Sequence, residues 1–231
     1  MATGKTKEEI ACIEKACIVT DEIFSAIISD FRFATEHELA LYIRREIKRR
    51  GLREAFPPIV TSGGRAGDSI HPKYTSSKLE GFVIIDMGVR VGGYCSDMTR
   101  TVFVGTPNAN DKKLYKVVAD AKKAGEKASR AGASCAAADT AARKSMGAYK
   151  KYFIHTLGHG VGKRIHEKPI IFFKRTEPVF QEQSVITIEP GIYIPKKLGI
   201  RIEDTYVVEK KSLRPLTRSP QKLLVFKKAQ I

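Results

Sequence analysis

The chemistry this sequence can offer rests on four carboxylates and a cluster of histidines. Asp86 follows the apolar run Phe82-Val83-Ile84-Ile85, and Asp97 stands beyond a Gly92-Gly93 pair. An ionised carboxylate beside such a run is costly to bury unless a cation or several donors compensate it. Glu189 closes Ile186-Thr187-Ile188 and Glu203 follows Arg201-Ile202, so the arrangement recurs later in the chain. Arg201 and Glu203 share a strand face by parity, which lets the guanidinium orient the carboxylate; a plain ion pair is the structural alternative. Among the histidines, His155, His159 and His166 fall in one short stretch. Gly158, Gly160 and Gly162 let the backbone come close to whatever His159 holds. A lone histidine is more often structural, and His37 reads as helix surface. A phosphate-cradling loop is disfavoured because the P-loop and dinucleotide glycine patterns are absent.

Together Asp86, Asp97, His159, Glu189 and Glu203 make an oxygen-rich site with one imidazole. That donor set suits Mn, Co, Fe or Zn better than a thiolate-type structural zinc. One divalent ion leaves four carboxylates under-neutralised, whereas two match them. Two ions ~3.5–4 Å apart that activate a shared water form a site for hydrolysis.

The elements that must position these groups follow from pattern. Val83–Val104 reads as a β-hairpin turning at Gly92-Gly93, with Asp86 and Asp97 face to face. Thr6-Lys7-Glu8-Glu9 is a capping box opening an amphipathic helix over about Lys7 to Ser29; Thr35-Glu36-His37-Glu38 opens a second that Gly51 closes. Pro57-Pro58 breaks the pattern, Ile59–Thr61 is a short strand, and a loop from Ser62 to Asp68 delivers His71. The order then repeats. A helix runs from about 107–110 to near Gly132 and another from about Ser134 to Met146, followed by the histidine loop and strands at Val185–Glu189 and Ile200–Val208. This recurrence predicts two similar halves, about 6–106 and 107–210, with one site on the axis between them.

With 231 residues and 42% of them hydrophobic, the chain can bury one sizeable core, so 1–231 is read as a single domain of two fused halves. No secretory signal shows at Met1–Lys5 and no apolar run has spanning length, which predicts a cytoplasmic protein without a membrane partner. Cys12, Cys17, Cys95 and Cys135 lack CxxC spacing and read as reduced thiols. Cys95 shares strand parity with Asp97 but reads as a small buried thiol. The formal charge of +16 would suit ribosome or nucleic-acid contact. The basic residues nevertheless come as scattered pairs, Arg49-Arg50 and Lys122-Lys123 among them, which solvated faces explain.

In order along the chain, IIDMG, GYCSDMTRT, HTLGHGVG, IHEKP, TIEPGIYIP and GIRIEDT resemble the motifs of the pita-bread metallopeptidases, which include methionine aminopeptidases, Xaa-Pro aminopeptidases and prolidases. The resemblance runs from the first helix to about Val208. It implies an α+β pita-bread (creatinase/aminopeptidase) fold with two pseudo-symmetric halves around a central metal site. It implies a dinuclear centre in which Asp86 binds one ion, His159 and Glu189 the other, and Asp97 and Glu203 bridge them. By the same resemblance His71 and His166 contact the substrate carbonyl and stabilise the tetrahedral intermediate, and Glu189 is also the general acid/base. His155, Tyr193 and Arg201 fall at substrate or supporting positions.

The implied activity is that of a metal-dependent exopeptidase acting on peptide substrates, by preference Xaa-Pro, through a hydroxide bridging two divalent ions. Glu-Pro-Gly-Ile-Tyr at 189–193 and Gly-Ile-Arg-Ile-Glu-Asp at 199–204 resemble the proline-specific branch. A chain that starts at the catalytic helix, without the N-terminal domain of that branch, instead resembles methionine aminopeptidase in layout. The alternatives are therefore methionine removal from nascent chains, or a non-catalytic pita-bread module that binds nucleic acid or protein; the latter is disfavoured because no expected ligand is missing. A monomer or homodimer is expected.

Overall fold

The structure, a computed structural model, describes residues 4–175 and 178–228. Met1 to Thr3, the start of the segment read for a secretory signal, lie outside the described residues. Helices begin where capping chemistry is available. Before α1 (Lys7–Ser29) the Glu9 amide donates to the Thr6 hydroxyl at 3.3 Å and the Thr6 amide donates to the Glu9 carboxylate at 2.8 Å. Thr35 caps α2 (Glu36–Arg49), and Gly51 follows its end at φ +68°. Then come β1 (Arg53–Glu54), β2 (Ile59–Ser62), a 3-10 turn at Gly63–Gly67, β3 (Gly81–Met87), β4 (Val89–Val91), β5 (Tyr94–Cys95) and β6 (Met98–Val104).

The second half opens with α3 (Ala109–Ala128), started by an Asn108–Asp111 capping box, and α4 (Cys135–Ser145). Helix α3 stops short of Gly132 because Ser129 turns extended, with φ −99° and ψ 115°. The strands β7 (Gly158–Gly160), β8 (Glu167–Ile171), β9 (Val185–Ile188), β10 (Gly191–Ile194), β11 (Leu198–Arg201), β12 (Asp204–Val208), β13 (Leu213–Pro215) and β14 (Val225–Phe226) complete the order. One sheet runs β14-β6-β3-β2 and another β13-β12-β9-β7-β8; β10-β11 is a hairpin and β1-β4-β5 a small separate sheet. Among the described residues no helix is long and apolar enough to cross a membrane.

Strand alternation decides what faces the centre. Val83, Ile85 and Met87 of β3 pack with Phe24, Ile27, Leu39 and Ile43 from α1 and α2. Each such fully buried side chain contributes about 1.5–3 kcal/mol. Phe82 turns the other way and packs with Leu114 and Val118 of α3 and Ile186 and Ile188 of β9. Asp86 has the parity of Phe82, so the packing of α1 and α2 on one face of β3 drives the acid towards the second half.

Val83–Val104 does reverse at Gly92 and Gly93, with φ +58° and +86°, but it is not one continuous hairpin. β3 pairs with β6 as far as Met87↔Met98, while the tip β4–β5 leaves to join β1. The break falls at Gly88, where a Cβ would lie 2.0 Å from the Ser96 carbonyl oxygen. Asp86 stands opposite Thr99. Asp97, two residues before Thr99, is therefore its diagonal neighbour on the same face and not directly opposed as predicted. The two main sheets meet along β6: the Glu203 amide donates to the Thr99 carbonyl at 3.0 Å and the Thr205 hydroxyl to the Asp97 carbonyl at 2.7 Å.

Candidate metal centre

Strand β7 holds His159 against β9, where the His159 amide donates to the Thr187 hydroxyl at 3.1 Å. A Cβ on Gly158 would lie 2.1 Å from the Thr187 carbonyl oxygen, so glycine is what lets the two strands close here. Gly158→Ala is expected to push β7 off β9 and destabilise the protein by about 1–3 kcal/mol; a denaturant midpoint equal to wild type would contradict this. The His159 Nδ1 lies 3.1 Å from the Gly160 carbonyl, which as acceptor leaves Nε2 turned to the centre. Nε2 is 3.6 Å from Asp97 Oδ2 and 3.3 Å from Glu189 Oε1.

Asp97, His159 and Glu203 each offer a ligand atom within 4.8 Å of the others. Thr99 donates its hydroxyl to Glu203 Oε2 at 2.7 Å, and Arg201 Nη2 donates to Asp86 Oδ2 at 2.6 Å. All five predicted ligands line one cleft of about 920 Å³. His71 and His166 are exposed on its walls, and His166 sets its ring edge-on to His159 at 4.3 Å between centroids. His155 Nε2 lies 3.0 Å from the Tyr193 hydroxyl, which accepts from Arg201 Nη1 at 2.7 Å.

The electrostatics favour added positive charge. Burial, then repulsion from Glu203 and Asp86, pushes the Asp97 carboxyl well above the usual carboxylate range. Burial, then Glu189 and Asp86, does the same to Glu203. Burial raises Asp86 against the pull of Arg201. At Glu189 burial acts in the same sense, but the hydrogen bond and charge of His159 outweigh it and hold the acid at about 2. Burial draws His155 down to about 4. Asp86 Oδ1 and Glu203 Oε1 are buried with no hydrogen-bond partner among the described residues. Buried carboxylate oxygens need partners. Unpartnered oxygens, crowded acids and one imidazole fit hard or borderline divalent cations.

Arg201 departs from the reading as a direct partner of Glu203. Its Nε donates to Thr99 Oγ1 at 3.0 Å, and it is Thr99 that bonds Glu203, while the rest of the guanidinium is spent on Asp86, Tyr193 and the Ile70 carbonyl. Thr99 was missed, although its parity with Asp97 marked it. The cleft walls Phe56, Pro57, Pro58, Lys73 and Arg175 were missed too, with nothing in pattern to assign them. Cys95 is buried, its Sγ 3.6 Å from the Lys163 carbonyl oxygen, and does not line the cleft. Lys122, read as part of a solvated face, is 1% exposed.

Residues 11–210 match the model of metallopeptidase family M24. The chain belongs to family M24. This M24 chain is 41% identical over 227 residues to an Xaa-Pro dipeptidase of Pyrococcus furiosus, covering 95% of this chain and 64% of that protein. It superposes on a prolidase structure from Pyrococcus furiosus with TM-score 0.88 and 40% identity, covering 94% of this chain and 65% of the other. An X-Pro aminopeptidase from Thermotoga maritima gives TM-score 0.91 at 32% identity, with coverage of 96% and 64%. The M24 chain thus spans a little under two thirds of these relatives' length, and its α+β fold is the pita-bread fold of the family.

Proposed function

We propose that the M24 chain is a metal-dependent exopeptidase that hydrolyses the bond between an N-terminal residue and proline, with short peptides preferred. The observation that carries this reading is the convergence of Asp97, His159, Glu189 and Glu203 in one cleft with Asp86, where two buried carboxylate oxygens lack partners among the described residues. Asp86 would hold one ion, His159 and Glu189 the other, with Asp97 and Glu203 shared between them. Bound divalent cations would supply Lewis-acid polarisation of the scissile carbonyl and a shared water acidified towards neutral pH.

The chain's own groups do the rest. Glu189, held ionised beside His159, accepts the proton of the attacking water and passes it to the leaving nitrogen. His71 and His166 offer ring N–H groups from the cleft walls to the carbonyl oxygen as it gains charge. Arg201, through Thr99 and Asp86, keeps two of the acids from turning. Phe56, Pro57, Pro58, Ile59, Pro72 and Tyr74 give the cleft apolar walls that suit a pyrrolidine ring. Lys73 and Arg175 line the same cleft, and they suit the free carboxylate of a dipeptide. The names of the P. furiosus relatives point to the same substrate class.

Hydrolysis of Ala-Pro, Ala-Pro-Ala and Met-Ala-Ala by protein reloaded with Mn, Co or Zn tests this. The expected order is Ala-Pro first, the tripeptide slower, and Met-Ala-Ala scarcely at all. Preference for Met-Ala-Ala would replace the reading with methionine removal, and no turnover with any metal would end the peptidase assignment.

A further inference from the structure

Behind the metal centre lies a second charged cluster that the proposed reaction does not use. Arg100 and Lys122 are each 1% exposed and Asp204 is fully buried. Asp204 Oδ1 accepts from Arg100 Nη2 at 2.6 Å and from the Thr217 hydroxyl at 2.6 Å; Oδ2 accepts from Lys122 Nζ at 2.7 Å and from Gln221 Nε2 at 2.8 Å. Arg100 spends its donors on backbone carbonyls as well: Nε on Pro220, Nη2 on Ser219, Nη1 on Thr99 and Glu203. Lys122 also donates to Glu126 and Tyr206.

Burying three charged side chains costs desolvation that hydrophobic residues of the same volume would not incur. What the cluster grips explains why it stands here. Thr99 bonds the Glu203 carboxylate from one side, and Arg100 holds the carbonyls of both Thr99 and Glu203, while Asp204 continues the chain from Glu203. Four residues of the segment 217–221 close the ring, and all lie beyond the 11–210 stretch that matches the family.

We propose that Arg100, Asp204 and Lys122 are positioning residues for Glu203, and that the segment 217–221 is a working part of the metal centre's frame. The guanidinium fixes the main chain on both sides of the site where two sheets meet, so the Glu203 carboxylate is aimed before any cation arrives. A carboxylate shared between two ions tolerates less drift than a terminal ligand, which places the demand for such a frame at this position. The inference rests on reading Glu203 as a shared metal ligand.

The test is Mn²⁺ binding to the full chain by calorimetry, with the Mn²⁺ electron paramagnetic resonance spectrum as a second readout. Arg100→Lys keeps the charge and loses the fork. The double variant Thr217→Val with Gln221→Leu removes two donors to Asp204 and is the milder case if Arg100→Lys does not fold. Affinity is expected to fall about 10–100-fold, and the exchange-coupled two-ion spectrum to give way to that of isolated ions. Phe226→Leu, which breaks the tail's ring stack on Phe31 outside the segment 217–221, is expected to bind as wild type does. Folded variants with wild-type affinity and spectrum would overturn the proposal, as would an equal loss in Phe226→Leu, which would mean general tail packing. Wild-type protein that binds Mn²⁺ without cleaving peptides would count against the peptidase reading alone; wild-type protein that binds none would overturn both.

Discussion

Glu203→Gln is expected to silence turnover and to steady the metal-free fold. Glu203 is 2% exposed and its Oε1 has no partner among the described residues, while Glu189 and Asp86 press on its charge. In the metal-free protein that charge is a liability: ionised, it is desolvated and repelled, and protonated, it must be held against the solvent's pH. A glutamine of the same shape removes the charge and keeps an oxygen for the Thr99 hydroxyl. Removing an uncompensated buried charge should add about 1 kcal/mol, a rise of roughly 2–4 °C in melting temperature for a chain of this size. On the proposed reading, the same change deletes a ligand shared by both cation positions. Groups that act as a unit fail together, so kcat on Ala-Pro at saturating Mn²⁺ should fall on the order of 10³-fold or more. A misfolded variant would lose both activity and melting temperature, so the opposite signs separate mechanism from damage. Undiminished turnover, or a lower midpoint in the absence of metal, would refute the assignment of Glu203.

How far the sequence reaches depends on the range of the physics involved. Helix α1 was legible to the residue because Thr6 and Glu9 are three apart and act on each other. The four acids and the histidine were legible as a set because ionisable groups beside apolar runs call for compensation, and the structure gathers them in one cleft. Arg201's route to Glu203 was not legible because two-residue parity states which face it shares but not which strand lies across. The β3–β6 register puts Asp86 beside Thr99, and that pair captured the guanidinium. The split at Gly88 was hidden for the same reason: Ser96, whose carbonyl forbids a side chain there, is near only after the chain has turned. Lys122 shows the limit most sharply. It follows Ala121 on the inward face of α3, yet only the fold brings Asp204 to it.

Stripping divalent ions with a chelator is expected to abolish hydrolysis, and excess Mn²⁺ to return it together with a large gain in thermal stability. A ligand that binds only the native state stabilises by about 2.7 kcal/mol when present at 100 times its dissociation constant. At roughly 2–4 °C per kcal/mol for a domain of this size, the melting temperature should rise about 5–11 °C. Glu203→Gln should show a much smaller rise, because the centre it needs is incomplete, and its metal-free advantage over wild type should invert once Mn²⁺ is added. The comparison that decides the cause is sodium chloride at matched ionic strength. Screening acts on solvent-exposed charges across the whole basic surface, whereas Asp97 and Glu203 are 5% and 2% exposed and their repulsion is relieved by a cation that enters the cleft. A sodium chloride shift as large as that with Mn²⁺ would mean that diffuse screening, and not a bound ion pair, governs stability, and the metal centre would then lose its main support.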